Sequence, residues 1–112
     1  MITIDNVLLV HSTLSRVKDT PLEIINPNML ESAIAGQQWY DSTIEQIAHV
    51  SFSINAYHVF RDGNKRTAYM LVLEYCPMPF NEDKLKDCIL SVAKGEVMSP
   101  RDFADMLRSC VI

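Results

Sequence analysis

At 112 residues with 48% apolar content, the chain is long enough for one hydrophobic core and reads as a single domain, 1–112. Its net charge of −4 argues against direct nucleic-acid binding, which rests on a basic surface. No apolar run reaches bilayer length, and the start, Met1 to Asp5, lacks the basic flank and small-residue cleavage site of a signal peptide.

The chain reads as helix after helix. Thr3 caps a first helix with Val7, Leu8, His11 and Leu14 on one face. Lys18 to Asn26 is polar and interrupted by proline, so it reads as a loop or a short extended hairpin. Asn26-Pro27 is a cap followed by proline at the first helical position, and Leu30, Ala33, Ile34 and Gln37 give a short second helix. Ser42-x-x-Glu45 is a capping box. It opens a longer helix whose face carries Ile44, Ile47, Ala48, Ser51, Ile54 and Asn55, ending near Tyr57 or His58.

After a loop, Thr67 to Tyr75 is nearly all apolar, as in the buried centre of a bundle. Pro77 and Pro79 end it. Asn81, followed by Glu82 and Asp83, starts a helix with Leu85, Cys88, Ile89 and Val92 inward, and Gly95 stops it. Ser99-Pro100 starts a last helix with Phe103, Met106, Leu107 and Cys110 inward. The expected fold is therefore all-α, a compact bundle of about six helices, with room for a small β-like flap before the second helix. Cys76, Cys88 and Cys110 are odd in number, widely spaced and set in apolar patterns, as expected of reduced core thiols in a cytoplasmic protein. With no C-x-x-C pair, a zinc site is not expected.

The chemistry concentrates in His58-Val59-Phe60-Arg61-Asp62-Gly63-Asn64-Lys65-Arg66-Thr67, a loop feeding a helix start. A helix N-terminus offers unpaired N–H groups and partial positive charge, and so binds anions. Cations in a first turn oppose the macrodipole at about 0.3–1 kcal/mol each, a repulsion that a bound polyphosphate turns into attraction. His58 has the type of a general base near neutral pH. Asp62 is a hard oxygen ligand suited to magnesium. Gly63 permits positive φ and close approach to a phosphate. Asn64 can donate to a phosphate oxygen or cap the helix. Lys65 and Arg66 can clamp a transferred phosphoryl group. Phe60 is expected to anchor the loop in the core. Taken singly, each has a plain reading as a polar cap, a turn or a solvated pair. His11 and His49 keep that plain reading.

Together these residues resemble the signature of the Fic/Doc superfamily, H-x-F-x-D/E-G-N-G/K-R. Asn26 to Ala33 is similar to the D-P-x-x-L-E-S-A segment of the death-on-curing (Doc) branch, and the tail from Ser91 to Arg108 resembles that branch's C-terminal helices. The resemblance covers almost the whole chain. It implies a helical, nucleotide-dependent transferase acting as the toxin of a toxin–antitoxin pair. On this resemblance His58 deprotonates the target hydroxyl and Asp62 holds Mg2+. Gly63, Asn64, Lys65 and Arg66 bind the phosphates of ATP or another nucleoside triphosphate.

Lys65 stands where adenylylating relatives have glycine and resembles the Doc branch, whose chemistry is phosphorylation of elongation factor Tu. Tyr69 replaces the second arginine of many relatives. Leu22, Glu23, Ile24 and Ile25 form the expected target flap, without the glycine usual there. None of the six glutamates has Ser or Thr four residues before it, as a built-in inhibitory helix would require. The resemblance thus implies control by a separate antitoxin helix laid in a groove. Two other readings stand beside phosphotransfer: transfer of AMP to a protein hydroxyl, and an inactive helical binding module.

Overall fold

Capping residues set most helix starts. The computed structural model describes residues 1–18 and 23–112, and six α-helices run through them: α1 (Ile4–Lys18), α2 (Pro27–Gly36), α3 (Thr43–Tyr57), α4 (Asn64–Tyr75), α5 (Glu82–Ala93) and α6 (Pro100–Ser109). Thr3 Oγ1 accepts from Asn6 N at 3.1 Å while Asn6 Oδ1 accepts from Thr3 N at 2.9 Å. Ser42 Oγ accepts from Glu45 N and donates to the Glu45 carboxylate at 2.7 Å. Asn81 and Ser99 accept from Lys84 N and Asp102 N, each at 3.1 Å. Each such cap satisfies an otherwise orphaned donor and stabilises its helix by about 1 kcal/mol. Asn26 differs. Its side chain makes no cap bond to α2 and donates instead to Tyr57 O, at the end of α3, at 3.4 Å.

The centre of the bundle is α3, which packs against α2, α4, α5 and α6. It buries Ile44, Ile47, Val50, Phe52 and Ile54, with Ala48, Ser51, Ser53 and Asn55 between them. Small and polar residues let neighbouring backbones approach, and they find partners there. Ser51 Oγ donates to Ala68 O of α4 at 3.0 Å, and Asn55 Nδ2 donates to Ile89 O of α5 at 2.9 Å. The buried centre expected over Thr67 to Tyr75 is therefore filled instead by α3, whose run from Val50 to Asn55 is buried on every side. In α4, Thr67, Ala68, Leu71 and Val72 are buried, whereas Tyr69, Met70, Leu73 and Tyr75 lie half-buried at the rim and Glu74 is exposed. Tyrosine and methionine are apolar enough to mimic core in a linear reading yet sit comfortably at a boundary.

Side chains also tie down the ends. Gln37, in a 3-10 turn after α2, exchanges two hydrogen bonds with the Ile2 main chain, at 2.9 and 2.7 Å. Near the C-terminus, Asn81 N donates to Cys110 O and Ile112 N to Pro79 O, both at 2.8 Å. All three cysteines are free and buried, and Cys88 Sγ lies 3.3 Å from Cys110 Sγ. Burial and that contact push the Cys88 thiol up to about 12, which keeps it protonated and unreactive. No helix among the described residues is long and apolar enough to cross a membrane.

The expected flap is present as one antiparallel bridge between Ile24 and Phe60, without a sheet among the described residues. Ile25 N and Asn26 N both donate to Val59 O, at 2.9 and 3.1 Å, and Arg61 N donates to Glu23 O at 2.9 Å. The segment Glu23 to Ile25 thus lies along the loop between α3 and α4. Leu22, also assigned to the flap, falls outside the described residues.

Candidate active site

α3 stops and α4 starts through two left-handed residues. His58 closes α3 at φ 51°, its N–H donating to Ile54 O, and Gly63 precedes α4 at φ 80°. A left-handed histidine is strained for an L-residue, and such strain gathers at functional sites. Gly63 has no alternative. Besides its φ, a Cβ there would sit 3.1 Å from His11 Cε1.

Asn64 builds the loop. Its Oδ1 accepts from Phe60 N at 2.9 Å and its Nδ2 donates to Phe60 O at 2.7 Å. Both ends of the amide are occupied, so what Asn64 can offer an anion is its main-chain N–H. The main-chain ladder of α4 begins with Thr67 N donating to Gly63 O at 2.9 Å. The N–H groups of Asn64, Lys65 and Arg66 therefore stand free at the positive end of the helix dipole.

Phe60 is fully buried, as expected of an anchor, and it is stacked. The His11 ring lies on it with centroids 3.7 Å apart and planes 10° from parallel. His11 Nδ1 is also hydrogen-bonded to Thr67 Oγ1 at 2.9 Å. One buried imidazole on α1 thus braces the loop at Phe60, leaves no room for a side chain at Gly63 and holds the first turn of α4 at Thr67. In the sequence this residue has no feature of its own that sets it apart from an ordinary polar-cap histidine. The available signal was a polar ring on an otherwise apolar helix face.

A cavity of about 440 Å³ opens over the start of α4, lined by Asn55, His58, Arg61, Asp62, Gly63, Asn64, Lys65, Arg66 and Ala93. Every motif residue assigned to catalysis, metal or phosphate lies on it; Phe60 lies beneath. His58 is exposed, and its imidazole makes no hydrogen bond with the described residues. Asp62 Oδ1 accepts from Gly63 N at 2.7 Å. Arg61 forms a two-bond ion pair with Glu23, one bond at 3.2 Å, which locks the flap to the loop. That guanidinium holds the Glu23 carboxyl below its ordinary value.

Two buried polar atoms on the cavity wall, Arg66 Nε and Asn55 Oδ1, have no hydrogen-bond partner among the described residues. An unsatisfied buried donor or acceptor costs about 1–3 kcal/mol, which a ligand or water in the cavity would relieve. Asn55 was expected only as part of an inward helix face. Tyr69, in the place of a second arginine, donates its hydroxyl to Glu82 at 2.8 Å. Burial, reinforced by that carboxylate, pushes its phenol up to about 12. Among the described residues no three His, Cys, Asp or Glu side chains cluster as a metal cage.

A helical domain whose central helix hands the chain through a braced loop to a helix start lined by a cavity is the class this geometry defines. Residues 3–76 match the family model described as Fic/DOC family, and the chain belongs to that family. The match spans α1 to the end of α4 and so includes the whole loop. Domains of this family are commonly transferases acting on protein hydroxyls and often occur in toxin–antitoxin pairs. No curated protein matches the chain.

Proposed function

We propose that this protein is a phosphotransferase of the Doc type. It moves the γ-phosphoryl group of ATP, or another nucleoside triphosphate, to a hydroxyl of a translation factor resembling elongation factor Tu. The observation that carries this reading is the convergence of His58, Asp62, Lys65 and Arg66 on one cavity over free N–H groups of α4. Phosphoryl transfer asks for little besides positioning and charge stabilisation. The main-chain N–H groups of Asn64 to Arg66 hold phosphate oxygens, and Arg66 Nε–H finds its acceptor there. Lys65 follows the transferring group with a mobile point charge.

His58 accepts the proton as the target oxygen bonds to the γ-phosphorus. The bond from that phosphorus to the β–γ bridging oxygen breaks, and ADP leaves with the bond's electron pair. The exposed Asp62 carboxylate suits magnesium, which commonly takes one carboxylate and completes its shell with phosphate oxygens and water. When bound, the ion neutralises charge on the phosphates. The Glu23–Ile25 edge, fixed beside the loop, lines up the target peptide. The protein acts in the cytoplasm as a toxin, and a cognate antitoxin restrains it by laying a helix in a groove of the bundle.

Incubation of the protein with a cell extract and ATP labelled at the γ or the α phosphate tests the reading. Label from the γ position alone is expected on one acceptor protein. Label from the α position would mean AMP transfer, and no label from either, with the fold intact, a binding module.

A further inference from the structure

Arg61 stands apart from the other cations of the site. It lines the cavity with Lys65 and Arg66, but those two make no ion pair among the described residues. Arg61 is engaged by Glu23 through two bonds. Lys65 and Arg66 also line a neighbouring recess of about 300 Å³ with Tyr69 and with Lys86, Ile89 and Leu90 of α5. Arg61 takes no part in that recess; its guanidinium goes to the Glu23–Ile25 edge. The cations of the cavity therefore divide into two that are free for an anion and one that is tied to the flap.

Glu23 and Arg61 are joined twice, by Arg61 N donating to Glu23 O at 2.9 Å and again through their side chains. The pair is exposed, so it adds little to the stability of the whole fold. What it fixes is register. Among the described residues a single bridge, Ile24 to Phe60, holds the edge as a strand, and so short a pairing specifies register weakly. In the observed register Glu23 O and Ile25 N bond to the loop, while Ile24 N and Ile24 O make no hydrogen bond among the described residues. A slip of one residue would exchange the inward and outward main-chain groups. It would also set Glu23 against Asp62 in one direction and against the buried Phe60 in the other. The same edge holds the carbonyls on both sides of His58: Asn26 Nδ2 donates to Tyr57 O, and Ile25 N and Asn26 N to Val59 O. Where the edge sits thus decides where a peptide laid along Ile24 meets the imidazole. We propose that Arg61 is a positioning residue for the acceptor protein. Its side chain pins the edge in register, and through it the acceptor hydroxyl beside His58, and it takes no part in holding the nucleotide. This rests on the acceptor reading above and names the residue that keeps the flap competent.

Amide hydrogen exchange read by NMR, and steady-state phosphorylation of purified elongation factor Tu, test this. The variants are Arg61→Ala and the charge-swapped pair Glu23→Arg with Arg61→Glu. In the free protein Arg61→Ala should speed exchange at the Ile25 and Asn26 amides by about two- to fivefold, the effect of losing one exposed ion pair. Exchange within α3 and α4 should stay as it is. In the assay Arg61→Ala should raise KM for the elongation factor by a similar factor and leave kcat and KM for ATP unchanged. The charge-swapped pair should restore both the exchange rates and the acceptor KM. Unchanged exchange at Ile25 and Asn26 in Arg61→Ala overturns the proposal whatever the activity. A raised KM for ATP does so too, since Arg61 would then serve the phosphates, and so does a charge-swapped pair no better than Arg61→Ala. If elongation factor Tu takes no label from the unaltered protein, the acceptor reading fails by itself, and the exchange rates still decide whether Arg61 pins the edge.

Discussion

His58 and Lys65 carry the two residue-level consequences. His58 is exposed and makes no side-chain hydrogen bond with the described residues, so removing its ring leaves the packing alone. His58→Ala should lower transfer by about 10²–10⁴-fold, the usual worth of a general base, with an unchanged melting temperature. Near-normal transfer measured with labelled ATP would place the base elsewhere. Lys65 is exposed on the first turn of α4 and lines both cavity and recess. Its ammonium opposes the helix dipole by about 0.3–1 kcal/mol, so its presence is better explained by an anion than by stability. Lys65→Gly should lose phosphoryl transfer, since it removes the charge that follows the moving group. Intact-mass measurement of the target reads the outcome, and a phosphate-sized gain at the original rate would show that other groups position the γ-phosphate.

At the scale of elements, the loop between α3 and α4 is held from three sides. α1 supplies His11 on Phe60 and Thr67, the Glu23–Ile25 edge pairs with Val59 to Arg61, and Asn64 closes the loop on its own main chain. His11→Ala should therefore act on stability and activity together. Deleting a buried ring typically costs about 3–5 kcal/mol, and the first turn of α4 would lose its side-chain tie. Thermal unfolding and transfer assays on the same sample check this. Full transfer by a destabilised His11→Ala protein would show that α1 does not position the loop.

Capping residues and periodic apolar positions made the helices legible in the sequence, because both act within a few residues along the chain. The motif loop was legible because its residue types are unusual in combination. His11 and Asn55 were not, since their roles come from contacts 49, 56 and 34 positions away, to Phe60, Thr67 and Ile89. The interchange of α3 and α4 as the buried centre has the same origin. Ser51 and Asn55 read as part of an inward face, but the main-chain partners on α4 and α5 that let them be buried at the centre are not visible in the sequence.

Across the whole molecule, charge and packing are distributed unevenly. The net charge is −4, yet Arg61, Lys65, Arg66 and Lys86 gather around the cavity and recess, with Asp62 the one acid lining them. A cationic cleft on an acidic body concentrates anionic ligands where they react and turns them away elsewhere. The seam between α2 and α3 holds a different kind of charge constraint. His49 lies against Gly36 so closely that a Cβ there would be 2.2 Å from Nε2, and its Nδ1 is buried with no hydrogen-bond partner among the described residues. Burial lowers its pKa below the ordinary 6.5, because the charged form loses water there.

The unfolded chain thus takes up this proton at a higher pH than the folded one. The contribution to stability is full above pH 6.5, falls as pH drops below it and levels off once pH passes the lowered folded-state value. Melting temperature followed from about pH 8 to about pH 5, above the range where carboxylates titrate, should fall on the acid side. His49→Gln cannot take up this proton, so it should show a shallower fall. The difference between the two curves isolates His49 from the other histidines. Parallel curves would mean that the α2–α3 seam tolerates the charge and that the buried nitrogen is not what limits this fold in acid.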